Sequence, residues 1–149
     1  MRLDEAVEAI LMSIKGSLVA ATVDGGLLQD VNSVVRGDRA RSRPEAPTIW
    51  VFADIAQMTG TPTTLRETWK FPVILTAIYK EPEDPEVGYS QASKLAALAR
   101  SVVLQDRTLG LQFVQDTKST RFEVSSPWHK EGDLYASVAV VEVTFAILE

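Results

Sequence analysis

The last apolar run constrains the fold more than any other feature of the chain. In Leu134–Leu148, both alternating sets of residues are mostly apolar. Val138 and Val140 fall on one set, and Tyr135, Ala139, Val141, Val143, Phe145 and Ile147 on the other. Successive side chains of a strand point to opposite faces. A strand of this composition has no face to give to water, so it belongs in the middle of a sheet. Tyr135, Val138, Val140 and Phe145 are therefore expected to be largely buried.

The remaining segments supply partners for that strand. Thr48–Ala53 (TIWVFA) is β-branched and aromatic and reads as a strand. A long strand follows, with Trp69, Phe71, Val73, Leu75, Ala77 and Tyr79 on one face and Ile74 and Ile78 on the other. Its second half is apolar on both faces and is expected to be covered on both. Pro72 suggests that the first half runs along an edge or carries a bulge. Val31, Val34 and Val35 suggest a short strand. Residues 113–116 and 120–124 are expected to form a hairpin around Thr117-Lys118-Ser119. The stretches 57–64 and 125–133 read as loops.

Two helices are expected. Leu3, Val7, Ile10, Leu11 and Ile14 make one stripe of a 3.6-residue period. Gly16 is a natural stop or kink, with Ser17 able to cap a continuation over 18–23. Asp24-Gly25-Gly26 reads as a turn. The strongest helical signal covers 89–105, where no glycine or proline interrupts a face of Ala92, Leu95, Ala96, Leu98, Ala99, Val102 and Val103. Strands outnumber helices, and no internal repeat is present. The fold class is α/β in the α+β sense. At 149 residues the chain is expected to form one domain, 1–149, able to bury roughly 70% of the surface its unfolded form exposes.

Composition excludes several functions. With no cysteine there is no disulfide, no thiolate zinc site and no cysteine nucleophile. One histidine excludes a site needing two imidazoles from one chain. Asp4, Glu5 and Glu8 interrupt the N-terminal apolar residues, which reads as neither a signal peptide nor a membrane span. The net charge of −5 (15 basic against 20 acidic residues) argues against a general nucleic-acid binder, which needs a basic surface. The P-loop, G-x-G-x-x-G and G-x-S-x-G patterns are absent.

Three features bear on chemistry. His129 lies in the polar run 125–133 with Asp133 and with Ser125 and Ser126. These are the residue types of a nucleophilic triad, but triad members come from separate elements that hold their angles. His129 therefore reads as a surface residue, to be tested by His129→Ala. Glu81, Glu83, Asp84 and Glu86 place four carboxylates within six residues. Pro82 and Pro85 alternate with them, and no glycine-bearing loop folds them inward around a cation. A solvated, non-helical loop is the expectation, with no metal or other cofactor. Arg36, Arg39, Arg41 and Arg43 form a basic connection. Arginine suits phosphate, yet no aromatic residue accompanies them for base stacking, and Asp38 and Glu45 dilute the charge. These arginines read as solvated, or as partners of the acidic 81–86 loop in a neighbouring copy. Trp50, Trp69 and Trp128 read as core or interface residues.

The segment 95–111, ending Asp106-Arg107-Thr108-Leu109-Gly110-Leu111, resembles the helix and D-R-T-L-G segment of tail terminator (tail completion, minor tail) proteins of long-tailed phages. The order of other motifs agrees: an N-terminal helix, R-P-x-x-P-x-I-x-V over 43–51, a long strand ending Tyr79-Lys80, an acidic-proline loop, and the terminal strand entered at Gly132. The resemblance spans nearly the whole chain. It implies a mixed, mostly antiparallel β-sheet flanked by an N-terminal helix and one long helix. It also implies a ring, usually a hexamer, in the tail or neck of the virion, assembled in the bacterial host cytoplasm. Such a ring caps the head-proximal end of the tail tube, ends tube polymerisation and joins the tail to a neck or head-completion protein. DNA passes through the lumen without specific binding, and no membrane and no catalytic residue is involved. The alternatives are a head-completion or other neck connector protein, a small hydrolase using His129, and a nucleic-acid module using residues 36–43. Expected contact segments are 36–43, 57–67, 81–86 and 125–133. Arg36, Arg39, Arg41, Arg43, Glu81, Glu83, Asp84 and Glu86 are the candidate interface residues.

Overall fold

The terminal strand is paired on both sides. A computed structural model describes residues 1–37, 45–59, 66–127 and 133–148. Its elements run α1 (Leu3–Ala20), β1 (Ser33–Arg36), β2 (Thr48–Ala53), β3 (Gln57–Met58), β4 (Arg66–Lys80), α2 (Pro85–Leu104), β5 (Val114–Pro127) and β6 (Leu134–Leu148). The sheet order is β1-β2-β4-β6-β5, with β3 beside β4. Among the described strands only the β1–β2 pairing is parallel. The α+β class and the two helices are those expected from the residue pattern, and the mixed, mostly antiparallel sheet is the one the resemblance implies. The central pair, β4 and β6, stays in register over its whole length, from Arg66↔Leu148 to Lys80↔Leu134.

Both helices cover one face of the sheet. Ala6, Ile10, Ile14 and Leu18 of α1 share a buried cluster with Ala96, Ala99 and Val103 of α2. The sheet side of that cluster is Ile49, Val51, Phe71, Val73, Leu75, Ala77, Ala139, Val141, Val143 and Phe145. The opposite face carries a smaller cluster of Trp50, Ile78, Leu134 and Ala136, with Val35, Ala46 and Phe52 against it. Tyr135, Val140 and Phe145 are buried, whereas Val138, on this second face, is only half-buried.

Several expectations need correction. Helix α1 runs straight through Gly16, because Ile14 and Leu18 are both fully buried and hold the turns on either side. That packing outweighs a glycine penalty of about 1 kcal/mol. Helix α2 begins four residues earlier than expected, at Pro85. Proline is suited to the first helical position, where its missing N–H would have no partner anyway. Residues 85 and 86 are thus helical, not part of a non-helical acidic loop. The buried face of α2 is Gly88, Ala92, Leu95, Ala96, Ala99, Val102 and Val103. Leu98 lies on its flank, half-buried.

No hairpin forms around Thr117-Lys118-Ser119; β5 is one strand paired with β6 throughout. Those three residues include no glycine, asparagine or proline to make a tight turn. Thr117, registered with Val143, is fully buried on the helix-covered face, while Lys118, registered with Glu142, is exposed. Register shifts at three places absorb the irregularity. The expected loop over 125–133 is strand as far as Pro127. Likewise, Gln57 and Met58 of the expected 57–64 loop pair with Lys70 and Trp69.

Pro72 lies inside the sheet, opposite Glu142 of β6. Its carbonyl accepts from the Asp54 N–H at 3.1 Å. The N–H and C=O of one strand residue face the same neighbour, so the absent N–H faces the interval between β2 and β3. The proline sits where the neighbouring strand is interrupted, without a ladder bond to lose.

Candidate interaction surface

Arg36 ends β1 and meets Glu8 on α1. Its Nη1 donates to Glu8 Oε1 at 2.6 Å and its Nη2 to Oε2 at 3.0 Å. Two parallel bonds of this kind fix both distance and plane. The hydrogen bond, reinforced by the guanidinium charge, holds the Glu8 carboxyl below its usual range and raises Arg36. Arg36 is therefore engaged within the chain, tying α1 to the sheet edge. Arg39, Arg41 and Arg43 lie outside the described residues, as do Trp128 and His129.

The acidic residues build the entrance to α2. Glu81 Oε1 accepts from the Glu83 N–H at 3.0 Å and the Asp84 N–H at 3.3 Å. Asp84 is the N-cap, accepting from the Glu86 N–H at 3.0 Å. Glu86, in the first turn, lies at the positive end of the helix dipole. Two of the four carboxylates thus satisfy backbone donors, and Glu83 and Glu86 remain exposed. Beneath the helix start, burial pushes the Tyr135 phenol up, and the nearby Tyr89, Glu81, Asp133 and Asp84 act in the same sense. Among the described residues no group of three or more His, Asp or Glu stands ready to hold a metal ion. No described helix is long and apolar enough to cross a membrane.

A feature that sequence reading missed lies at the other end of the helices. The C-terminal turns of α1 and α2 converge on a cavity of ≈ 390 Å³, walled by Ala20, Ala21, Val102, Val103, Asp106 and Leu109 among others. Neither helix carries a basic residue in its last turn. Asp106 Oδ1 accepts from the Thr108 N–H at 3.0 Å and the Thr108 hydroxyl at 2.7 Å, which holds its carboxyl below the usual range. Leu109 (φ 55°) and Gly110 (φ 70°) then reverse the chain. The Ser13 hydroxyl, on α1, donates to the Leu109 carbonyl at 2.6 Å, tying this turn to the first helix. The sequence signal for the cavity was the lack of Lys or Arg at both helix ends. It acquires meaning only once the two ends are known to meet.

No family model and no curated protein matches the chain. Among solved structures, it is similar to a chain of the virion of a native gene transfer agent particle. The TM-score is 0.62 at 12% identity, covering 90% of this chain and 92% of that one. At that identity the likeness establishes a shared fold.

Proposed function

We propose that this chain is a structural protein of a phage-like virion, one that forms a ring at the head-proximal end of the tail tube. There it ends tube polymerisation and joins the tail to the neck. The observation that carries this reading is agreement from two directions. The motif order resembles tail terminator proteins, and the fold is shared over nearly the full length of a virion chain. The single-domain reading of residues 1–149 accords with that coverage.

The physical properties accord with the role. A terminator must present one surface that copies the tube and another that does not. A head-to-tail contact that closes on itself leaves two different ring faces. An acidic protein repels DNA phosphates, so a duplex slides through the lumen instead of adhering. The exposed Glu83 and Glu86, and Arg39, Arg41 and Arg43, are the proposed charged contacts between neighbours. Arg36 is held by Glu8 within the chain, while Glu81 and Asp84 shape the start of α2. Exposed ion pairs of this kind set register more than they stabilise.

The test is to mix the protein with its cognate tail-tube protein and follow tube length by electron microscopy. Capped tubes of limited length are expected. Reversing Arg39, Arg41 and Arg43 to glutamate should weaken ring formation and leave the monomer folded. His129→Ala should assemble as the parent does. A protein that never forms rings, alone or on tubes, sinks the reading.

A further inference from the structure

We infer that the cavity between the C-terminal ends of α1 and α2 receives a lysine or arginine side chain from a second copy of the chain. The inference rests on the ring reading and adds to it one defined socket.

The electrostatic case begins with the backbone. Each helix C-terminus is the negative end of its dipole, although the Ser17, Leu18 and Val19 carbonyls of α1 and the Val102 carbonyl of α2 already accept from backbone N–H groups that follow them. Two such ends meet here, and neither has a basic residue in its last turn. The Asp106 carboxylate adds a full negative charge to the same wall, held ionised by its two bonds from Thr108. Among the described residues no lysine, arginine or histidine lines the cavity. Like potentials brought together in this way are relieved by a cation.

Shape selects the kind of cation. The walls contributed by Ala20, Ala21, Val102 and Val103 are apolar and short. They suit the methylene stem of a long basic side chain, whose charged head then reaches the carboxylate and the helix ends. A volume of ≈ 390 Å³ lies within the range of pockets that hold small ligands. The turn that closes the socket is fixed by the Ser13–Leu109 bond, so the site is formed before anything enters it.

The chain itself carries the complement. Arg66, Lys70, Lys80 and Lys94 are exposed and make no ion pair with another described residue. A socket on one surface and a basic side chain on another give a heterologous contact, the kind that closes rings.

Two variants test this, each studied by sedimentation velocity alone and by electron microscopy with tail-tube protein. Asp106→Asn keeps the acceptor for Thr108 but removes the charge, and should raise the concentration for half-assembly about tenfold. Ala20→Arg places a cation at the socket from within the same chain. It should block assembly while melting no lower than the parent, since a basic residue suits a helix C-terminus. If the parent forms rings and both variants match it, the socket is overturned and the ring function stands. Normal rings that no longer cap tubes would instead assign the basic side chain to the tube protein and overturn the second-copy occupant. A parent that forms no rings in either setting overturns the ring reading and the second-copy occupant together.

Discussion

Gly88 of α2 lies directly on the ring of Tyr135 in β6: a Cβ built on the glycine would stand 2.3 Å from two ring carbons. Tyr89 packs edge-on against the same ring, with centroids 4.9 Å apart and planes at 70°. The first turn of the long helix is thereby seated on the central strand. Gly88→Ala should destabilise the protein by about 1–3 kcal/mol through overpacking. Thermal denaturation would measure it, and the loss should shrink in a Tyr135→Leu background. A Gly88→Ala variant as stable as the parent would show that the helix start is not so seated.

Thr117 offers the opposite case. Its hydroxyl is fully buried and has no hydrogen-bond partner among the described residues. Thr117→Val keeps the β-branched shape and removes the unsatisfied group. It should raise stability by about 1 kcal/mol, read as a higher urea midpoint with unchanged slope.

The Arg36–Glu8 pair gives stability a defined pH dependence. The Glu8 carboxyl is lowered in the folded state from an ordinary value of 4.5. Its contribution is therefore fully present above about pH 4.5 and is lost as pH falls through the lowered value. Glu8→Gln should melt below the parent at pH 7, and the two should converge in strong acid. Equal melting at pH 7 would mean that the pair adds nothing to folding.

Charge placed on the long helix should separate its buried face from its flank. Ala96 is fully buried and Leu98 only half-buried. Ala96→Asp buries an unpaired carboxylate and should cost several kcal/mol or prevent folding. Leu98→Asp can turn its carboxylate to water and should cost about 1–2 kcal/mol, mostly lost packing. Circular dichroism melts of the two variants would decide. Equal losses would mean that the flank is closed.

Legibility from sequence followed the range of the interactions involved. β6 and β2 were readable because strand alternation is local: Leu134–Leu148 is mostly apolar on both sets, and Thr48–Ala53 is β-branched and aromatic. The buried stripe of α2, Ala92 to Val103, was readable for the same reason, since its period repeats within a few turns. Thr117-Lys118-Ser119 was misread because polar residues in a strand depend on what the neighbouring strand places opposite them. Here that is Val143, Glu142 and Val141. Pro85 read as part of a non-helical acidic loop, and the helix was expected to begin only at 89. Only the Asp84 cap and the Tyr135 ring beneath Gly88 show why a helix starts at Pro85.

The interaction surface was the least legible part. Arg36 and Glu8 stand 28 residues apart, and their pairing exists only because α1 crosses the edge at β1. Sequence by itself determined the acidic balance, the lack of cysteine and the central apolar strand, all properties of composition or of spacing along one segment. The socket between the helix ends, the engagement of Arg36 and the seat of α2 on Tyr135 were decided by tertiary structure. Each is a meeting of groups whose separation along the chain carries no information about their distance in space.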